Sequence, residues 1–383
     1  MVARAILITG TRAPAAAEIA RLLIAAGHRV HAGDSTPLDL AGAVKGVTSH
    51  VLPRARQSPA AYGAAVAALV AREDIDLVVP TCEEVFYLAA AREQGHAIPL
   101  FAPDFATLRL LHDKHAFVAF AGELGLDVPQ TRKLESRGEV EALAAGSRDT
   151  VFKPAYSRFG TQTLVGAERI DYVQPTSQRP WVAQERLLGE EICLYAVAER
   201  GRMRAFCAYR PLYRIGRAAS FYFEPLEAPD GQALVARIVA ALDYSGQIAF
   251  DAIRVRDGRL LPIECNPRAT SGVHLLAGSP GFAACLAAQT VEGLVRPSPA
   301  DAPAMLASAM ILIALPRAWP GGLAAWRRDF VRGRDVLAAD GLNRRALQVL
   351  LRYCVEALRR RTPVRAIATR DIEWDGEAIH AGS

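Results

Sequence analysis

The chain has 383 residues, of which 51% are hydrophobic, and it carries a formal net charge of +5. This length suits two or three domains with buried cores, and the apolar content excludes a disordered protein. The six cysteines form no CxxC pair and have no histidine cluster beside them, which argues against a zinc site and is typical of reduced thiols in the cytosol. The apolar run near residues 302–315 is too short to span a membrane. We therefore expect a cytoplasmic protein without a membrane partner.

Residues 1–112 are predicted to form a Rossmann-like domain, because strand and helix patterns alternate along them. Buried strands are expected at residues 5–10, 29–34 and 75–80, with helices at 14–26 and 58–72. The turn Gly10–Pro14 resembles a dinucleotide-binding turn but lacks the GxGxxG glycines. Asp34 follows the second strand, where an acidic residue often meets a ribose. We interpret this turn as part of the scaffold, with a nucleotide site as the alternative.

Three further units are predicted after the first domain. Residues 113–182 form a small α+β unit, residues 183–300 a domain with longer strands, and residues 301–383 a C-terminal extension that packs on that domain. In the extension, the apolar run 307–315 resembles a strand. Residues 343–361 are predicted to be an amphipathic helix with docked leucines and solvated arginines. Aromatic or base-reading groups are not evident among these arginines, so we expect no nucleic-acid partner.

Three cations are associated with the small unit. Lys114 precedes a helix, Lys153 ends a strand, and Arg158 lies in the polar loop that follows Lys153. A flexible loop of this kind can close over a polyphosphate while its cations neutralise the charge. Taken alone, each lysine is more simply a solvated surface residue.

A polar connection between two strands follows at residues 184–191. It contains the pairs Gln184 and Glu185, Leu187 and Leu188, and Glu190 and Glu191. An adenine ring can lie against the two leucines while backbone groups read its edge, and a carboxylate after the turn can accept hydrogen bonds from ribose hydroxyls. The alternative is an acidic connection without a ligand.

The most specific pattern is Glu264-Cys265-Asn266-Pro267-Arg268 at a strand end. Alternate side chains of a strand face the same way, so Glu264, Asn266 and Arg268 are expected on one face. The turn at residues 256–259 predicts a hairpin that brings Asp251 beside them. Two carboxylates and an amide oxygen form a hard-oxygen site that suits Mg²⁺ with substrate phosphates.

The order of these features resembles the ATP-grasp superfamily, in particular its carboxylate–amine ligases and carbamoyl-phosphate-synthase-like members. The resemblance implies a mixed α/β and α+β fold with a Rossmann-like N-terminal domain, a small central lid and a C-terminal domain that clamps ATP against the lid. It implies that ATP contacts Lys114, Lys153, Gln184, Glu185, Leu188 and Glu191, with Glu190 as the alternative ribose ligand. It implies that Mg²⁺, or Mn²⁺ in its place, binds Asp251, Glu264 and Asn266, and that Arg268, Lys153 and Arg158 act on the transferring phosphoryl group.

The binding site for the acid substrate is less defined. Arg210, Arg214 and Arg217 follow a strand and can hold a carboxylate, because arginine binds carboxylates bidentately. An exposed basic hairpin is an equally weighted alternative. His274 is a further candidate near the reacting groups, although a packed or solvated histidine is the simpler interpretation.

We therefore expect an ATP-dependent ligase that joins a small carboxylic acid to an amine through an acyl phosphate. Alternatives are a carbamoyl-phosphate-synthase-like enzyme that phosphorylates bicarbonate or a carboxylate, and a nucleotide-binding regulatory protein without turnover. The expected partners are ATP, the acid and the amine. Members of the family are often dimers, so a homodimer is a further expectation.

Overall fold

A computed structural model describes residues 2–157, 162–215, 219–298, 302–319 and 321–379. These residues form three sheets with helices packed against them. The predicted combination of α/β and α+β architecture is confirmed.

The first sheet is parallel and has the strand order β3–β2–β1–β4. Its strands are β1 (Ala5–Thr9), β2 (Arg29–Asp34), β3 (Thr48–Val51) and β4 (Leu77–Pro80), and its helices are α1 (Pro14–Ala25), α2 (Pro59–Arg72) and α3 (Glu84–Glu93). Every residue of β1 is buried, as expected for a central strand covered on both faces. The strands and helices predicted for this domain are therefore present.

The turn after β1 is closed by side chains. Gly10 has a φ of +67°, and a Cβ there would lie 2.7 Å from the Glu84 carboxylate, so only glycine fits. The backbone N–H of Arg12 donates to Asp34 at 3.1 Å, and its guanidinium forms an ion pair with the same carboxylate. The acid at the expected ribose position thus has a protein partner, which agrees with the scaffold interpretation.

The second sheet is small and antiparallel, with the order β5–β8–β6–β7. Its strands are β5 (Thr131–Leu134), β6 (Thr150–Pro154), β7 (Leu164–Val165) and β8 (Trp181–Glu185), and the neighbouring helices are α4 (Phe105–His112), α5 (Lys114–Glu123) and α6 (Arg137–Glu141). Strand β8 lies inside this sheet and continues to Glu185. The small unit therefore extends a few residues beyond the expected boundary at 182.

The third sheet has the order β13–β12–β9–β10–β11–β14–β15. Its strands are β9 (Gly189–Glu199), β10 (Arg202–Ile215), β11 (Ala219–Leu226), β12 (Gly246–Val255), β13 (Leu260–Asn266), β14 (Ala304–Met305) and β15 (Arg334–Asp335), with helices α7 (Pro229–Ala241), α8 (Gly272–Leu276) and α9 (Phe282–Leu286). Alternate residues of β9 enter different cores. Leu194 and Ala196 pack with α7, whereas Tyr195 and Val197 pack with α1 and α8. This sheet therefore lies between α7 and the first domain.

The run 307–315, predicted to be a strand, is helical. It contains α10 (Ala307–Ala309), a π-helical segment (Met310–Ala314) and the start of α11 (Leu315–Ala318). A short apolar run has no periodicity that separates a buried strand from a helix. Here Met310 and Ala314, four residues apart, are buried while Ile311 and Leu312 are exposed, which is the pattern of a helix face.

The rest of the extension consists of α12 (Leu323–Arg332), α13 (Leu342–Arg360) and α14 (Val364–Thr369). The predicted basic helix is present as α13, but it docks through Leu342, Val349 and Ala357. The leucines expected at the contact are exposed. After α14, Trp374 is buried and stacks on Phe86 of the first domain, with ring centroids 4.5 Å apart. The extension therefore contacts the first domain as well as the third sheet.

None of the six cysteines, all of which the structure describes, is in a disulfide. Among the described helices, none has both the length and the apolar character needed to cross a membrane.

Candidate functional site

A cavity of about 530 Å³ lies between the small sheet and the third sheet. It collects nine of the residues selected from the sequence, from six different strands and the segment after β13. They are Lys153, Gln184, Glu185, Glu191, Arg214, Asp251, Glu264, Asn266 and Arg268. These residues span more than a hundred positions of the chain, so only the packing of the two sheets brings them together.

The predicted hairpin places the carboxylates. Asp251 of β12 pairs directly with Glu264 of β13, and a register shift follows Asp251. The Asn266 amide donates to Asp251 Oδ2 at 3.3 Å. Burial and the neighbouring carboxylates of Glu264 and Glu191 raise the pKa of Asp251 to about 6. Negative charge is therefore concentrated at one wall of the cavity.

Two buried lysines lie beside these carboxylates. Lys153 is 4% exposed and its ammonium donates to the Ile263 carbonyl at 3.0 Å. Burial lowers the pKa of Lys153 to about 8. Lys114 is 1% exposed, donates to the Ser157 carbonyl at 2.9 Å and lies 3.7 Å from Glu264 Oε2. Lys153 lines the cavity. Lys114 lies behind the cavity wall, where its contacts with Glu264 and Ser157 connect that wall to the start of the loop after Lys153.

Arg268 is held in place by neighbours on both sides. It donates to Asn266 Oδ1 at 2.8 Å and to the Ala269 carbonyl at 3.2 Å, and its Nε lies 3.7 Å from Glu83 Oε1. The buried Nε atom has no hydrogen-bond partner within the described chain. Glu83 was not identified from the sequence, since a lone acid at the start of α3 carries no spacing signal. Arg268 thus places a guanidinium group at the cavity wall beside Asn266.

The strand end at β8 forms another edge of the cavity. Gln184 is buried and donates to Thr131 Oγ1 at 3.1 Å, and Glu185 Oε2 accepts from the backbone of Gln130 at 3.2 Å. Leu187 lines the cavity, whereas the side chain of Leu188 is 60% exposed. The apolar contact at this edge therefore comes from Leu187, and Leu188 can contribute only through its backbone.

The two candidate ribose ligands face different surroundings. Glu191 lines the cavity and pairs with Arg214 at 2.7 Å. Glu190 forms an ion pair with Arg210, and neither lines the cavity. Neighbouring residues of a strand point to opposite faces, which separates the two pairs. The geometry favours Glu191, and it favours Arg214 over Arg210 as a substrate contact.

Other candidates lie elsewhere. His274 is buried, its Nδ1 lies 2.9 Å from Glu18 Oε2, and its ring stacks on Phe223. It does not line the cavity, which agrees with the simpler interpretation of a packed histidine. Arg158 and Arg217 lie outside the described residues.

Cys193 also lines the cavity, although no sequence pattern had selected it. Its thiol donates to Asp251 Oδ1 at 3.1 Å, and burial raises its pKa above the usual range. The thiol is therefore protonated at neutral pH. Its partner could be inferred only from the pairing of β9 with β12, which places Cys193 opposite Asp251.

The donor set fits a divalent cation with oxygen ligands. Asp251, Glu264 and Asn266 present two carboxylates and an amide on adjacent strands. Burial and the neighbouring carboxylates raise the pKa of Asp251, and a bound cation would stabilise its charged form. These three residues would hold Mg²⁺.

No protein-family model and no curated protein matches the sequence. Solved structures share the fold. N5-carboxyaminoimidazole synthetase from Staphylococcus aureus, complexed with ADP, has a TM-score of 0.65 and 13% identity over 82% of this chain and 85% of that chain. L-amino acid ligase from Bacillus licheniformis has a TM-score of 0.58 and 16% identity over 74% and 72%. Phosphoribosylamine–glycine ligase from Thermotoga maritima has a TM-score of 0.58 and 17% identity over 76% and 78%.

These similarities extend over most of each chain. At identities of 13–17% they establish the fold. The chain has the ATP-grasp fold, as the sequence resemblance that includes residues 264–268 implied.

Proposed function

We propose that the protein is an ATP-dependent ligase that joins a small carboxylic acid to an amine and releases ADP and phosphate. The observation that carries this proposal is the convergence of Asp251, Glu264 and Asn266 with Lys153 and Arg268 in one cavity. The names of the solved structures with this fold, two of which are called ligases, support the same reaction class.

A carboxylate does not react directly with an amine, because oxide is a poor leaving group. The carboxylate must therefore be activated first. The acid carboxylate takes the γ-phosphoryl group of ATP, the bond to ADP breaks, and an acyl phosphate forms. The amine then attacks the acyl carbon, phosphate leaves and an amide remains. Two anions about 4 Å apart repel by about 4 kcal/mol at an effective dielectric near 20, so cations must lie between them.

This chain supplies such cations from two sides. Lys153 approaches from the small sheet, and Arg268 approaches from the segment after β13, where its guanidinium donates to Asn266. Bound Mg²⁺ would contribute charge neutralisation of the phosphates. Lys114 positions the loop after Lys153, and closure of that loop would exclude water from the acyl phosphate.

The nucleotide and the acid would occupy neighbouring parts of the cavity, because Glu191 and Arg214 are in contact. Gln184, Glu185, Leu187 and the backbone of Leu188 suit the adenine, and Glu191 suits the ribose. Arg214 and Arg268 suit the carboxylate of the acid. An amino acid is one acid of this kind, as the name of the Bacillus enzyme suggests for that protein.

The test is a screen of amino acids and other small acids, paired with amines, for phosphate release, with mass spectrometry of the products. We expect ADP and phosphate only when Mg²⁺ (or Mn²⁺), an acid and an amine are all present. Release of AMP and pyrophosphate would contradict the proposal.

Two alternatives make different predictions in the same screen. A carbamoyl-phosphate-synthase-like enzyme would form ADP in the presence of bicarbonate, and a regulatory protein would bind ATP without turnover. The presence of Asp251, Glu264 and Asn266 in the cavity weighs against the second. The cysteines, none of which is in a disulfide, support a reducing compartment such as the cytosol.

A further inference from the structure

A second crevice, of about 130 Å³, lies at the carboxyl ends of β1 and β2. One side consists of the segments that follow these strands and includes Arg12, Ser35 and Thr36. The other side consists of α13, α14 and the residue after α14. It shares no lining residue with the cavity described above. The carboxyl ends of parallel strands are a common place for ligands in open α/β sheets.

Positive charge dominates this crevice. Its lining includes the five arginines Arg12, Arg54, Arg352, Arg360 and Arg370, against the carboxylates of Glu356 and Asp371. Those carboxylates are already engaged, because Asp371 pairs with Arg12 at 2.6 Å and Glu356 pairs with Arg360 at 2.5 Å.

The remaining three arginines have no such partner. Within the described ranges, Arg54, Arg352 and Arg370 form no ion pair and their side chains make no hydrogen bond. They come from three separate parts of the chain: the segment after β3, the middle of α13 and the end of α14. Bringing three unpaired guanidinium groups to one crevice costs electrostatic energy unless an anion binds there.

A neutral donor points to the same conclusion. Tyr353 lines the crevice, and its buried hydroxyl has no hydrogen-bond partner among the described residues. Buried hydroxyls are normally paired. Burial also raises the pKa of Tyr353 to about 12, so the hydroxyl is a donor at neutral pH.

We propose that this crevice binds the phosphoryl group of a small anion. Arginine donors match the oxygens of a phosphate bidentately, and the Tyr353 hydroxyl adds a neutral donor. The volume suits a phosphate group and excludes a whole nucleotide. The site is independent of the proposed ligase reaction, since it uses different residues.

The test uses inorganic phosphate as the probe, titrated calorimetrically into the full chain saturated with Mg²⁺ and a non-hydrolysable ATP analogue. Saturation keeps phosphate out of the larger cavity. We expect one phosphate site, whose dissociation constant rises about tenfold or more in the double variant Arg54→Gln/Arg370→Gln. Both side chains are exposed and unpaired, so the fold should be retained, as circular dichroism would verify.

The matched control is Arg327→Gln, which removes one exposed arginine of α12 that lines neither crevice nor cavity. Phosphate should bind this variant as it binds the wild type. Stronger binding of glycerol 3-phosphate than of phosphate would assign the site to a phosphate ester, and equal binding would assign it to free phosphate. The proposal is overturned if no phosphate binds to the saturated wild type, or if the double variant binds phosphate unchanged.

Discussion

Single residues at the cavity derive their properties from the strands that hold them. Asp251 and Glu264 are paired across two antiparallel strands, which brings two carboxylates to the same wall of the cavity. A divalent cation bound there would offset the repulsion between them.

The first prediction concerns Glu264. Glu264→Gln keeps the size of the side chain and removes a metal-binding charge, so we expect turnover to fall by about 100-fold or more in a variant that circular dichroism shows to be folded. Glu190→Gln is the control, because Glu190 pairs with Arg210 away from the cavity. Near-normal turnover of Glu264→Gln in an assay of ADP release would refute the metal assignment.

The second prediction concerns the protonation of Lys153. Its folded-state pKa is lowered to about 8 by burial, so the free protein loses this charge as the pH rises through that value. ATP prefers the charged ammonium, and its dissociation constant should therefore increase about tenfold between about pH 7 and pH 9. Calorimetric titration of Mg–ATP across this range measures the effect.

Lys153→Met should bind ATP more weakly and without this pH dependence. Lys133→Met is the control, because Lys133 pairs with Glu135 on the small sheet and is 40% exposed. An alkaline loss of affinity that persists in Lys153→Met would assign the titration to another group.

At the scale of elements, Glu18 of α1 joins the first domain to the third sheet, because it is hydrogen-bonded to His274 of α8 and forms an ion pair with Arg334. Burial raises the pKa of Glu18, but its hydrogen bond with His274 and the nearby arginines outweigh this and lower it to about 2. The folded-state pKa lies below the unfolded one, so the pair stabilises the fold above about pH 4.5. This contribution is lost as the pH falls toward 2.

The third prediction follows from this ion pair. Glu18→Gln should destabilise the protein by about 3 kcal/mol at neutral pH, because it leaves His274 and Arg334 without their anion. Denaturant unfolding at about pH 7 and pH 3 should show a smaller difference at the lower pH. Glu356→Gln, which removes an exposed helix pair with Arg360, should cost under about 1 kcal/mol at both. An equal loss of unfolding free energy in both variants would contradict a stabilising role for the buried contacts of Glu18.

Helices and strands whose apolar residues recur with a clear period were predictable from the sequence. The hairpin of β12 and β13 followed from its turn and its alternating pattern, and α13 followed from helical spacing. The helical structure of residues 307–315 was not predictable, because their apolar residues fit the period of a helix as well as that of a strand. The docking face of α13 was also predicted wrongly. Its apolar arc is wider than the contact, and the sequence does not show which part of the arc is covered.

At the scale of the whole molecule, α13 leaves an apolar stripe uncovered. Leu347, Leu351 and Leu358 are exposed by 53%, 56% and 79%, and with Cys354 they follow the 4-3-4 spacing of a coiled-coil seam. The flanking seam positions, which include Gln348 and Val355, carry no charge. A second copy of the chain can therefore pair with this stripe without like-charge contacts at its edges.

The fourth prediction is a homodimer through α13. Leu351→Glu should give a monomer by light scattering after size-exclusion chromatography, because it places a charge in the seam. Gln348→Glu adds the same charge to an exposed polar position beside the seam and should weaken the dimer far less. A monomeric wild type, or a dimer that survives Leu351→Glu, would contradict this interface.

The sequence by itself determined the periodic elements and the short polar segments at strand ends, because both depend on neighbours within a few residues. Glu264, Asn266 and Arg268 could be selected this way. The tertiary structure alone decided which distant groups meet them. Cys193 faces Asp251, Glu83 approaches Arg268, and the arginines around Tyr353 converge only because separate elements pack together. Such contacts depend on strand pairing and domain packing across the whole chain, which no local pattern encodes.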